Sequence, residues 1–175
     1  DIPGIQGIDT RNLTKIIRNI GCMNGMITTT KYENLDEVMK RIHAFKVTGV
    51  VEQTTCKESY TIGTGDKRVA LLDYGAKANI AKSLVKRGCQ VTVYPASTPA
   101  SVILKEKYDG IMLSNGPGDP EENVQIIEEI KLLASSQTPI FAICLGHQLM
   151  ALAHGFKTEK MKYGHHGANH PVKDL

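Results

Sequence analysis

The chain has 175 residues, 41% of them hydrophobic and 22% charged, with no Trp and a formal net charge of +3 from 21 basic and 18 acidic side chains. That is the composition of an ordinary globular protein with enough apolar material for a core, and the length suits one full domain or one domain plus part of a second. Charges of both signs are mixed, aromatics make up only 5% and the longest basic clusters are pairs such as Lys86-Arg87, which excludes the basic stripe of a nucleic-acid binder, and no apolar run approaches the roughly 18 residues that span a bilayer.

Leu13, Ile16, Ile17 and Ile20 keep helical spacing, with Asp9 placed to cap the start and Gly21 to close the end. Met26-Ile27-Thr28-Thr29-Thr30 has strand character. A second helix is predicted from Asn34, with Glu37 as its capping-box partner and Leu35, Val38, Met39 and Ile42 on the buried side. Residues 57–67 are polar, Gly-rich and without period, and mark a domain boundary.

Beyond that boundary, short apolar runs alternate with helical patterns. Strands are predicted at Val69–Asp73, Val91–Tyr94, Gly110–Ser114 and Pro139–Ile143. Helices are predicted from Asn79 towards Gly88, from Pro99 to Glu106, from the Asp119-Pro120-Glu121-Glu122 start to Ala134, and from Gly146 to Ala153. This alternation predicts right-handed βαβ units: an α/β fold with an open, mostly parallel sheet and helices on both faces, preceded by part of a smaller α+β domain. Ligands of such sheets bind beyond the carboxyl ends of the strands. The loop Asn115-Gly116-Pro117-Gly118-Asp119 and Cys144 both fall there.

The four cysteines, Cys22, Cys56, Cys89 and Cys144, have neither CxxC spacing nor the density of a disulfide framework, and Asp1-Ile2-Pro3-Gly4 lacks the features of a signal peptide. A reducing cytoplasm is the simplest setting. Ala142-Ile143-Cys144-Leu145-Gly146 puts small residues two before and two after a cysteine at a strand's end, the steric requirement of a nucleophile elbow. The start of the following helix favours the thiolate, the attacking form. The alternative is a buried structural cysteine. Gly116 and Gly118 let backbone N–H groups approach a ligand, so the loop beside the turn is placed to supply one oxyanion donor and the Leu145 N–H the other; the competing reading is a plain turn into a capped helix. Of His147 and Gln148, spacing favours Gln148 as facing the site. His165, His166 and His170 are candidates for a metal site, for a base to Cys144, or for a structural loop; no cysteine or acidic ligand lies at zinc spacing, so no metal is assigned.

Four phrases together carry a resemblance: Gly7-Ile8-Asp9-Thr10-Arg11, Leu113-Ser114-Asn115-Gly116-Pro117-Gly118-Asp119-Pro120, Ile143-Cys144-Leu145-Gly146-His147-Gln148, and the segment from Lys162 to Asp174. The second and third are similar to class I glutamine amidotransferases in general. The first and last narrow the resemblance to the small subunits of carbamoyl-phosphate synthase, over essentially the whole chain. It implies residues 1–60 as part of an amino-terminal domain and 67–175 as an amidotransferase domain incomplete at its carboxyl end. It further implies Cys144 as the nucleophile on L-glutamine, and Gly116, Gly118, Leu145 and Gln148 as positions that bind glutamine or its oxyanion. Ammonia would pass to a large subunit, the partner in a cytoplasmic heterodimer, which uses ATP, Mg and bicarbonate to make carbamoyl phosphate for pyrimidine and arginine synthesis; the small subunit needs no cofactor. Two departures stand out. Ala142 replaces the glycine usual in the family's elbow, and the family's histidine base with its carboxylate partner comes after the Asn169-His170-Pro171 segment, so the expectation is a fragment that turns over glutamine poorly. The alternatives are a glutaminase subunit of another class I amidotransferase, and a non-catalytic regulatory module on the same fold.

Overall fold

A computed structural model describes residues 2–29, 31, 34–162 and 164. They form two compact units, one from the residues up to Lys46 with those described after Thr158, the other Val47–Thr158.

In the first unit, α1 spans Thr10–Ile20; the Asp9 carboxylate accepts the Asn12 N–H at 2.9 Å, and the Gly21 N–H closes the helix on the Ile17 carbonyl. α2 spans Leu35–Ala44, its start capped by the Asn34 side chain, which accepts from Asp36 and Glu37. Both caps are where the sequence put them. The burial is not: α1 has no buried residue, and of the four apolar positions expected to pack on α2, only Val38 is buried while Leu35 is 71% exposed. The strand expected over Met26–Thr30 is absent at residues 26–29, which are irregular. An extended segment becomes a strand by joining a ladder, and the sheet of the described residues is built from other segments. The chain here is tied instead through Asn24, whose amide donates to the carbonyls of Ile42 and Phe45 at the end of α2, at 2.9 and 2.8 Å.

The second unit opens with the short helix α3, Val50–Thr54, entered through Gly49 in the left-handed region and unforeseen in the sequence. Then come β1 (Tyr60–Ile62), β2 (Lys67–Asp73), α4 (Ala78–Val85), β3 (Cys89–Pro95), α5 (Ala100–Lys105), β4 (Gly110–Leu113), a 3-10 turn at Pro120–Glu122, α6 (Val124–Ala134), β5 (Ile140–Ala142) and α7 (Leu145–Ala153). The sheet order is β1-β3-β2-β4-β5; every pairing is parallel except that of β1, which runs antiparallel along β3. The expected open, mostly parallel sheet is thus present. Residues 57–67, read as irregular, contain β1, joined to β3 by the Thr61–Thr92 hydroxyl contact of 3.1 Å. The helix expected from Asp119 is two pieces, broken at Asn123.

Alternation along the strands divides the core in two. Ala70, Leu72, Tyr94, Ile111 and Leu113 pack with residues of α5, α6 and α7 on one face, while Leu71, Val91, Val93 and Met112 pack with α4 on the other. The chain runs from β2 outward to β3 and then crosses back to β4 on the far side of β2. That reversal makes the carboxyl ends of β2 and β4 a topological switch point, the place where sheets of this kind bind ligands. No helix among the described residues is long and apolar enough to cross a membrane.

Candidate active site

The strand register sets the row of residues beyond the sheet. Leu72 pairs with Leu113 and Leu113 with Ala142, so two residues further on Tyr74, Asn115 and Cys144 follow side by side. Cys144 is the N-cap of α7 and takes φ 52°, ψ −111°, one of two non-glycine residues at positive φ among those described. A cysteine held there carries about 1–3 kcal/mol of backbone strain, kept in place by what surrounds it. The surroundings are tight. A side chain on Gly146 would stand 2.7 Å from the Leu113 carbonyl oxygen, so only glycine lets α7 start this close to β4. The Ala142 methyl packs on the core beneath α7 and is accommodated. The result is that Leu145 is buried, 1% exposed, while Cys144 itself is exposed.

The backbone donors in the first turn of α7 differ in what they bond. The Gly146 N–H is taken by the carbonyls of Ser114 and Ile143, both at 3.0 Å, and the Gln148 N–H bonds the Cys144 carbonyl at 3.0 Å. The N–H of Leu145 has no hydrogen-bond partner among the described residues, and the same is true of Gly116 and Gly118 in the loop after β4. Gly116 is pressed against this turn: a side chain there would run into the Tyr74 carbonyl and stand 2.8 Å from Leu145 Cδ2.

Three polar side chains that were not singled out in the sequence tie this arrangement together. Ser114, fully buried, accepts the Tyr74 N–H through Oγ at 2.9 Å and donates to the Asn115 carbonyl at 2.8 Å. Asn115 accepts the Lys77 N–H through Oδ1 at 2.9 Å and donates to the Gly75 carbonyl at 3.4 Å. Asp73 closes the β2 end, accepting from Gly75, Ala76 and Cys56 at 2.9, 2.6 and 2.8 Å. Beside it, burial and then the Asp73 charge push the Cys56 thiol up from its ordinary range. A polar residue directly at the carboxyl end of an apolar strand was the available signal for both Ser114 and Asp73.

The structure therefore brings Gly116 and Leu145 into contact, and sets Cys144 and Gln148 on one turn. Gly118 stands apart. At φ 93° it lies on a groove of about 840 Å³ walled by Val50, Glu52, Asp119 and Glu129, which excludes Cys144, and no hydrogen bond among the described residues joins Gly118 to the Cys144 turn. His147 and Gln148 are both exposed, so exposure does not choose between them. His165, His166 and His170 lie outside the described residues, and among those described no three His, Cys, Asp or Glu side chains gather as metal ligands would.

The family model for class I glutamine amidotransferases matches residues 70–175. Along nearly its whole length the chain is also similar to carbamoyl phosphate synthase small chains. It is 48% identical over 172 residues to that of Clostridium perfringens, covering 98% of this chain and 49% of the relative. The pyrimidine-specific small chain of Bacillus subtilis is 47% identical over 176 residues, covering 100% and 48%. The small chain of Vibrio parahaemolyticus is 45% identical over 197 residues, covering 100% and 52%. The chain spans about half the length of the curated relatives it matches.

Proposed function

Because the chain belongs to the class I glutamine amidotransferase family, whose model spans its residues 70–175, we propose that it is the glutamine-hydrolysing part of a carbamoyl phosphate synthase small chain. The observation that carries this reading is the strained Cys144, exposed at the start of α7 beside backbone N–H groups without partners. In the proposed reaction the Cys144 thiolate attacks the carboxamide carbon of L-glutamine. The carbonyl oxygen becomes an oxyanion, and the N–H groups of Leu145 and Gly116 are its proposed donors; their lack of another hydrogen-bond partner among the described residues supports this. The carbon–nitrogen bond then breaks, the nitrogen takes a proton and leaves as ammonia, and water hydrolyses the γ-glutamyl thioester to glutamate, returning the thiol. Gln148 and Gly118 are proposed as further glutamine contacts. The proton transfers are assigned to the family's histidine–carboxylate pair, outside the described residues.

On this reading ammonia passes to a large subunit that binds ATP, Mg and bicarbonate, in a cytoplasmic heterodimer supplying carbamoyl phosphate for pyrimidine and arginine synthesis. The small chain itself uses no cofactor.

Labelling with a glutamine-like diazoketone, mapped by peptide mass, tests the nucleophile. One equivalent is expected on Cys144, blocked by excess L-glutamine and lost in Cys144→Ser. Absence of labelling in the folded chain, or labelling unaffected by glutamine, would remove the glutaminase reading and leave a regulatory module on the same fold.

A further inference from the structure

We propose that Ser114 is a positioning residue of the glutamine site, which through one side chain and one carbonyl sets the spacing between the Gly116 loop and the Cys144 turn; this rests on the glutaminase reading above. Ser114 follows β4 and is fully buried, yet its hydrogen bonds run in four directions. Its N–H donates to the Leu72 carbonyl at 3.2 Å, and its own carbonyl accepts the Gly146 N–H at 3.0 Å. Its hydroxyl accepts from the Tyr74 N–H and donates to the Asn115 carbonyl. The hydroxyl proton and an oxygen lone pair are therefore both committed, and an alanine would leave a buried N–H and a carbonyl without their partner.

Each bond bears on one half of the site. The bond to Gly146 takes the second N–H of α7, which leaves the Leu145 N–H as the first donor open to a ligand. The bond to Tyr74 holds that residue's peptide, whose carbonyl is packed against Gly116. The Tyr74 ring is fully buried and cannot swing to compensate. A shift of the Tyr74 peptide is therefore passed to Gly116 by direct contact, while the α7 start stays on the Ser114 carbonyl. Removing the hydroxyl changes the distance between the two proposed oxyanion donors without touching the thiol or its exposure.

The test compares two reagents on Cys144 of the 175-residue chain. A diazoketone that resembles glutamine needs both donors in place, whereas iodoacetamide needs only the thiol. In Ser114→Ala the diazoketone rate is expected to fall about tenfold, the scale of one buried hydrogen bond, while the iodoacetamide rate stays within about twofold. A role in stability alone would lower the melting temperature and leave the ratio of the two rates unchanged, and that result overturns the proposal. If Ser114→Ala does not fold, Asn115→Ala loosens the same loop at its Lys77 tie, and Asn115→Asp, which keeps the acceptor for Lys77, should restore the ratio. An unchanged ratio in Asn115→Ala overturns the proposal equally. The two readings fail separately: a wild-type chain that the diazoketone does not label removes the glutaminase reading and this inference with it, whereas equal labelling of wild type and Ser114→Ala removes this inference alone.

Discussion

At the scale of single residues, Cys144 is held where a cysteine does not sit for its own comfort. At φ 52° the side chain pays backbone strain to stand clear of the β5–α7 turn, and the neighbours that enforce it are Gly146 against Leu113 and the Ser114 carbonyl on the Gly146 N–H. Two substitutions separate the strain from the side chain. Cys144→Ala keeps a Cβ in the left-handed region; Cys144→Gly does not. Urea unfolding should therefore find the glycine variant more stable than the alanine variant by about 1 kcal/mol, although glycine ordinarily destabilises an ordered position by that amount. A glycine variant less stable than alanine would mean that the turn is relaxed and the elbow reading of Cys144 is wrong. The thiol environment also divides the cysteines: Cys144 is exposed, while Cys56 lies half-buried beside Asp73 with its thiol pushed up.

Elements of secondary structure show which parts of the fold local chemistry can specify. At the amino end of the sheet, the Asp109 carboxylate accepts the Arg68 N–H at 2.8 Å while the Asp109 N–H donates to the Arg68 carbonyl at 2.8 Å, locking the entry of β4 onto β2. The Arg68 N–H, and secondarily Lys67, hold this carboxyl below its ordinary range. With the folded value below the unfolded one, the stabilisation is fully present above the unfolded pKa and is lost as pH falls through the folded pKa. Asp109→Asn should accordingly melt below wild type at neutral pH, and the gap should narrow as the pH is lowered through and below the ordinary carboxylate range. A gap that persists in acid would place the effect in packing and not in charge. Such capping bonds were readable in advance wherever the partner is a few residues away, as with Asp9 on Asn12 and Asn34 on Glu37. The same held for the central strands, whose apolar runs are long enough to stand out. β1 was not readable, because its three residues owe their strand state to pairing with β3 some thirty residues on, and α3 was not, because five residues after a left-handed glycine carry no period. The turn at Cys144 was visible from spacing; Ser114 offered only its polarity at the end of an apolar strand, and the bonds of Ser114 and Asn115 were not readable, since they cross from one strand end to the next.

For the whole molecule the informative feature is apolar surface left uncovered. α4 is the one described helix packed on its face of the sheet, over the β2–β3 side, so Phe141 on the same face of β5 is 65% exposed. β5 is also an edge among the described strands, with a side of unpaired backbone groups. In the other unit, Leu13, Ile16, Ile17 and Ile20 form a stripe along α1 with none of them buried. Exposed apolar side chains at an open strand edge and along one helix face drive self-association, and a net charge of only +3 gives little repulsion to oppose it. Sedimentation velocity on the 175-residue chain should therefore show species that grow with concentration through the tens of micromolar. A charge at the edge, Phe141→Lys, should shift the distribution towards monomer, and adding Ile16→Glu should shift it further, because the two patches lie on different compact units and act independently. Helix content should not change in either variant, since neither side chain is part of a buried core. A wild-type chain that stays monomeric across that range would show that these surfaces are hydrated at no great cost. An association that survives both substitutions would place the contact elsewhere, with the acidic groove beside Gly118 the next surface to charge-reverse, starting at Glu52.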